Sequence, residues 1–267
     1  MSSTDASERA RAICAEFGFD IDRVEPRIVA RMRLLAEHSE TVSDCERMVA
    51  NARRIFRHHE TTKPSEAFSE VERRTVILGC LFSDIGKTGP ADADEEAQRL
   101  IVEMFAVEGV RDDAQSVAGF LKASFPADAD ERIRRFASLG LDPKLTMREF
   151  WNLHSVWTFE ILKGSRVPLE VVAAATAHHL LEDVNPENLV GADGQFTQSF
   201  GDNASFDRAE KLIILLDKYD AVRRRGRRTH EQAIAWLRGR VESNARFHGD
   251  AEFSRLIADL DAVAEAG

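Results

Sequence analysis

Apolar residues recur at three-and-four spacing in nine separate stretches of this chain: 28–36, 42–56, 71–82, 97–107, 150–162, 169–181, 208–222, 229–241 and 252–264. That period lines one face of an α-helix, whereas a half-buried strand alternates every second residue. Alternation is weak elsewhere and β-branched residues are scattered, so the sequence specifies an all-α fold. Helix-start signals agree. Ser69 with Glu72 and Thr146 with Glu149 have the spacing of capping boxes, and Thr229 precedes Glu231 and Gln232 in a similar way. Breaks fall at 60–66, 88–94, 125–130 and 184–203, in or beside which lie Pro64, Pro90, Pro126, Pro143 and Pro186. The last break is long and polar, and such loops in compact domains are usually functional or mobile.

With 267 residues and 43% hydrophobic content, the chain is sized for one large domain with a substantial core. Its net charge of −10 repels a phosphate backbone, so a nucleic-acid polymer is not an expected partner. A small phosphorylated ligand held by a local basic patch remains compatible with that charge. Cys14, Cys45 and Cys80 are far apart and odd in number, with no Cys-x-x-Cys, which points to a reducing compartment without disulfides. The N-terminus lacks an apolar signal region, and the longest near-apolar run, 171–177, falls far short of the roughly 18 residues a membrane span needs. A cytoplasmic location without membrane attachment is expected.

Several apolar stretches carry a titratable group where burial is costly. His38 lies in "LLAEHSETV", Asp84 ends "LGCLFSD", and His154 sits in "FWNLHSVWTFEIL". His178 and His179 follow "VVAAATA", while Asp217 and Asp220 close "KLIILLDKYDAV". One such residue alone is more often a satisfied core histidine or a solvated helix end. A buried carboxylate is expensive unless paired or metal-bound, however, and imidazoles and carboxylates converging from several helices build the metal sites of bundle cores. His58, His59, His230 and His248 lie at helix ends or turns and are read as structural.

The motif order resembles the HD-domain superfamily, and within it the HD-GYP group, over roughly residues 30–240. "HSETV" at His38 is similar to a His that opens a helix; "SDIGK" at residues 83–87 is similar to His-Asp-Ile-Gly-Lys. "LTMREFWNLHSVWTFEIL" places His154, the His-His pair is His178–His179, and "DKYDAV" is similar to Asp-x-Tyr-Asp-Ala. An Arg-rich return follows in "RGRRTHEQAI". The resemblance implies an HD helical bundle over 31–240 with a helical insertion at 91–143, an N-terminal extension over 1–30, and a C-terminal helix in 241–267. Those two flanking segments are where a homodimer contact would form.

The resemblance also implies one complete metal site, iron or manganese, from Asp84, His154, His178 and His179. A second, weak site would take His38, Asp84 and Asp217 and lacks the histidine replaced by Ser83, because a hydroxyl binds divalent ions far less well than imidazole. Leu34 stands where a third metal would need Glu. The Gly-Tyr-Pro signature is absent, with "LLEDVNPENLVG" in its place. His178 and His179, as neighbours on a helix, can reach one ion only at a helix end or bend. The implied activity is hydrolysis of a phosphodiester or phosphomonoester, of a nucleotide or a cyclic dinucleotide such as cyclic di-GMP. Asp84 and Lys87 would be the catalytic residues, and Lys87, Arg225 and Arg228 would bind phosphate. The basic run holding those two arginines is equally readable as a solvated face. Two alternatives stand beside this activity: a catalytically degenerate signalling or binding protein, and an HD-type di-iron oxygenase. Gly86 is expected to let the chain turn sharply between Asp84 and Lys87.

Overall fold

A computed structural model describes residues 3–107, 110, 112–201, 203 and 205–263, with side chains from Glu8 onward. The chain is all-α. Its helices are α1 (Ser3–Glu16), α2 (Pro26–His38), α3 (Thr41–Thr62), α4 (Glu70–Phe82), α5 (Glu95–Ala106) and α6 (Val117–Ser124). There follow α7 (Ala129–Ser138), α8 (Met147–Leu162), α9 (Leu169–Thr176), α10 (Arg208–Arg224), α11 (His230–Ser243) and α12 (Ala251–Val263). Residue 264, the last of the expected final helix, lies outside the described residues. Among those residues there is no strand, only isolated bridges such as Ser116 with Thr146. No helix among them is long and apolar enough to cross a membrane. The three cysteines are buried and free.

The expected capping boxes form at Ser69–Glu72, Thr146–Glu149 and Thr229–Gln232, and a fourth, Asp207–Glu210, starts α10. Each satisfies N–H groups that a helix start otherwise leaves without partners.

Two groups of buried apolar side chains make the interior, and α4 serves both. Val76, Ile77 and Cys80 pack into one group; Leu78, Leu81 and Phe82 pack into the other. A helix apolar on every side must be buried. α4 is accordingly enclosed by α3, α9 and α10, and whatever follows Phe82 is delivered into the middle of the molecule. The flanking segments join this core: α1 contributes Ala10, Ile13 and Cys14, and α12 contributes Phe253, Leu256, Ile257 and Leu260. The loop beyond Lys87 is held by the buried Arg31 of α2, whose guanidinium donates to the carbonyls of Thr88, Gly89, Pro90 and Ala91.

α12 is tied to α3 by a buried ionic contact. Asp259, 3% exposed, accepts from Lys63 Nζ at 2.5 Å and meets His59 Nε2 at 2.8 Å. Burial alone would raise the Asp259 carboxyl, but the hydrogen bonds from Lys63 and His59 outweigh it and hold it below the usual range. A carboxyl depressed in the folded state stabilises fully above its unfolded pKa of about 3.9 and loses that contribution as pH falls through the folded value. Asp259→Asn is therefore expected to cost about 2 kcal/mol near neutral pH, with a gap to wild type that closes below about pH 4. Urea unfolding of both proteins between pH 7 and pH 3 measures this; a gap independent of pH would contradict it.

Candidate metal centre

α4 ends at Phe82, and the chain turns through Ser83 and Asp84 into a 3-10 turn, Ile85–Thr88. That turn lies directly on α8. A Cβ on Gly86 would stand 1.9 Å from the carbonyl oxygen of His154 and 2.7 Å from the amide nitrogen of Thr158. The Gly86 N–H donates to Thr158 Oγ1 at 3.1 Å, and that hydroxyl donates to the Ser83 carbonyl at 2.8 Å. Gly86 is not among the residues with positive φ. The glycine thus serves close backbone approach rather than the sharp turn expected from the sequence. The contact brings Asp84 to His154, with Asp84 Oδ1 3.4 Å from His154 Nε2. Ser83 is buried, and its hydroxyl donates to the Cys80 carbonyl of its own helix.

The histidine pair comes from a change of helix type. α9 stops at Thr176, earlier than the apolar pattern suggests, and tightens into a 3-10 turn, Ala177–Glu182. Three residues per turn separates neighbours by about 120°, yet the two rings lie on one side of the site with centroids 4.3 Å apart. One ring nitrogen from each of His154, His178 and His179 lies within 4.8 Å of the other two. α5 walls this cluster: the Phe105 ring meets His154 edge-on at 5.6 Å. The segment 91–143, expected to be an insertion, therefore reaches the site through Phe105.

The hydrogen bonding of the rings tests whether a metal fits. His154 Nδ1 faces the Trp151 carbonyl and His178 Nδ1 faces the Ala175 carbonyl at 2.7 Å, so both rings donate from Nδ1. Neutral rings then carry lone pairs on Nε2, and these two Nε2 atoms point at each other across 2.9 Å. With both rings neutral, neither Nε2 has a proton for the other. Two nitrogens bound at right angles to one ion, about 2.1 Å from each, lie about 3.0 Å apart. The opposed lone pairs are thus relieved by a shared cation, and backbone carbonyls orient the rings as they do in metal sites. His179 Nδ1 has the Glu182 carboxylate at 3.0 Å. Burial holds His178 down to about 4 and, reinforced by Lys218, holds His179 well below the ordinary histidine value. Both imidazoles are neutral and available as ligands near pH 7.

The carboxylates around this cluster are each met by lysine. Lys87 Nζ donates to Asp84 Oδ2 at 2.6 Å; Lys218 Nζ donates to Asp217 Oδ2 at 2.8 Å and lies 2.7 Å from Glu182 Oε2. Burial opposes ionisation of Asp84, but Lys87 and then His154 outweigh it and hold the carboxyl well below the ordinary range. Asp217 is held down to about 2, where burial is outweighed by Lys218 and then His178 and His179. The side chains of His179, Asp217 and Glu182 are 16%, 13% and 24% exposed, which marks the edge of the cluster open to a ligand.

His38 is placed elsewhere. It closes α2 instead of opening the next helix, is exposed, and does not join the histidine cluster. Arg225 and Arg228 are also exposed. Arg224 turns inward instead, to the buried Asp44, which also meets Arg47. Arg47 Nε in turn donates to Asp220 Oδ1 at 2.6 Å. Burial raises the Asp44 carboxyl, with Lys87 and Arg224 pulling the other way.

Sequence reading passed over Asp44, Arg47, Glu182 and Lys218, and noted Arg224 only as part of the basic run 223–228. A signal existed for Lys218, a lysine inside an apolar helix. Glu182 faces His179 because residues three apart eclipse in a 3-10 turn, and the apolar pattern announces an α-helix there.

No family model, curated protein or solved structure matches the chain. Fold and site by themselves define an all-α protein with a buried histidine cluster able to hold a metal ion, bordered by lysine-paired carboxylates.

Proposed function

We propose that this chain is a metal-dependent phosphohydrolase acting on a phosphodiester or phosphomonoester, with nucleotides and cyclic dinucleotides such as cyclic di-GMP as the substrate class. The observation that carries the reading is the pair of opposed Nε2 atoms of His154 and His178 beside Asp84 and Lys87. Asp84, His154, His178 and His179 would hold the ion. Three imidazoles and a carboxylate suit a transition metal such as iron or manganese better than magnesium or calcium. Bound there, a divalent ion supplies Lewis acidity next to a phosphate oxygen. Asp84 presents Oδ1 to the cluster and keeps Oδ2 on Lys87. Lys87 places a positive charge at the same carboxylate and offsets charge that develops on a phosphate oxygen. Asp217 and Glu182 line the open edge, with part of their negative charge offset by Lys218.

A second reading is a catalytically silent binding or signalling protein, favoured by Ser83, whose hydroxyl is spent on Cys80. Manganese- or iron-loaded protein, incubated with cyclic dinucleotides and with bis(p-nitrophenyl) phosphate, separates the two. Turnover is expected to fall at least 100-fold in Asp84→Ala, in line with the loss of an electrostatic catalytic group. Bound metal without turnover of any phosphoester would establish the silent reading, and an oxygen-dependent product would establish the di-iron oxygenase.

A further inference from the structure

A second, apolar pocket lies beside the segment that carries Asp84. Its walls come from α1, α2, the start of α3, the end of α4 and the Ile85–Thr88 turn. Along α2 it runs from Val29 to Ala36, about 10 Å of helix. Leu81 and Ile85 line it, while Asp84, between them in sequence, meets His154. One short segment thus serves both places.

The pocket encloses about 590 Å³ with its open mouth included, of which only about 40 Å³ is wide enough for a water molecule. An apolar slot of this kind offers water few of the polar partners it needs. A narrow, flexible chain enters more easily than a rigid ring, and Met32, an unbranched thioether, is the wall best able to give way.

Polar groups gather where α3 begins. Thr41 and Val42, its first two residues, line the pocket. Thr41 is 6% exposed, yet its hydroxyl has no hydrogen-bond partner among the described residues. Glu40, the N-cap of this 22-residue helix, makes no side-chain bond to the helix start. The N–H groups of Val42 and Ser43 meet no acceptor among the described residues. Asp44, the acid of the first turn, is taken by Arg47 and Arg224. A helix start carries partial positive charge and free donors, and so receives an anion. Arg33 of α2 also lines the pocket, is exposed and has no ion-pair partner among the described residues. Arg11, by contrast, is held by Asp22 at 3.1 Å.

We propose that this pocket binds a single unbranched alkyl chain ending in a carboxylate. The carboxylate lies at the start of α3, accepts from the Thr41 hydroxyl and the free N–H groups, and faces Arg33. The chain runs along α2 over Leu81 and Ile85. A buried hydroxyl without a partner is costly, and the carboxylate supplies the acceptor it lacks. A protein partner fits less well, because walls from five elements form a slot and not a face. The inference does not depend on the metal reading. Its occupant would bear on the segment that carries Asp84 and Lys87.

The test is calorimetric titration of the full-length protein with sodium decanoate below its micelle concentration, with methyl NMR spectra of isoleucine and leucine to place the ligand. Decanoate is expected to bind once per chain and to shift the signals of Ile21, Leu35, Leu81 and Ile85. Decanol has the same chain without the charge and should bind at least tenfold more weakly. Acetate has the same head without the chain and should not bind measurably. Thr41→Val and Arg33→Met should each weaken decanoate several-fold, and Ala36→Trp, which fills the slot, should abolish binding. The proposal is overturned by the lack of saturable decanoate binding, by shifts confined to other residues, by either control binding as tightly as decanoate, or by a folded Ala36→Trp that binds normally. If wild type binds no decanoate and Ala36→Trp changes the oligomeric state, the pocket belongs to a second copy of the chain and the proposal falls. If Ala36→Trp does not fold, Arg33→Glu, a change at an exposed residue, decides, and unaltered affinity there overturns the proposal.

Discussion

Gly86→Ala is expected to be the most damaging single methyl group in the chain. The added Cβ would meet the His154 carbonyl oxygen at 1.9 Å and the Thr158 nitrogen at 2.7 Å. Both are backbone atoms of α8, so no side chain can rotate away. Relief requires the Ile85–Thr88 turn and α8 to separate. That breaks the hydrogen bonds through Thr158 Oγ1 and withdraws Asp84 from His154. Ordinary overpacking costs about 1–3 kcal/mol. With only backbone to displace, a loss of about 4 kcal/mol is expected, at the exceptional end of single substitutions. Denaturant unfolding measures the stability, and metal content should fall with it. A variant of near wild-type stability would show that the turn and α8 are not in the contact described. Thr158→Val keeps the shape and removes only the hydroxyl, so its effect should be much smaller.

The second large effect is stabilisation by metal, and its loss in His178→Ala. Two Nε2 lone pairs held 2.9 Å apart are unfavourable without a cation between them, and the unfolded chain has no such arrangement. An ion binding only the folded protein stabilises it by about 4 kcal/mol when free at 1,000 times its dissociation constant. Wild type should therefore unfold at a clearly higher temperature with Mn(II) than with chelator. His178→Ala should lose that difference and hold little metal. Its metal-free form should lose less than the about 2–5 kcal/mol usual for emptying a core site, because it also removes one of the two opposed lone pairs. Identical melting of wild type with and without metal would end the metal reading of the site.

Individual residues show how much was legible in advance. The capping boxes at Ser69, Thr146 and Thr229 were readable because capping is local: the residues that make each bond lie within three positions. Asp84, His154, His178 and His179 stood out because burying such groups in apolar helices has a cost that must be offset, and the structure brings the three histidines together with Asp84 beside His154. His38 carries the same kind of motif but ends α2 exposed, because a motif does not say which way a helix end points. Gly86 was recognisable as special, while the reason for it lay 68 residues away in His154. The pairings of Lys218 with Glu182, Arg224 with Asp44 and Arg47 with Asp220 lack any short-range signature, since each joins different elements.

By itself, then, the sequence determined nine of the twelve described helices, three of their capped starts, the all-α class and a first list of residues whose burial needed compensation. Each of these follows from periodicity and from the cost of desolvating charge, which act over a few residues. The tertiary structure alone decided which of those residues meet, that α9 tightens to a 3-10 turn beneath His178 and His179, and that lysines hold Asp84 and Asp217. Those outcomes depend on distances set by helices packing across the whole chain, where a shift of one or two ångströms separates an ion pair from a metal ligand.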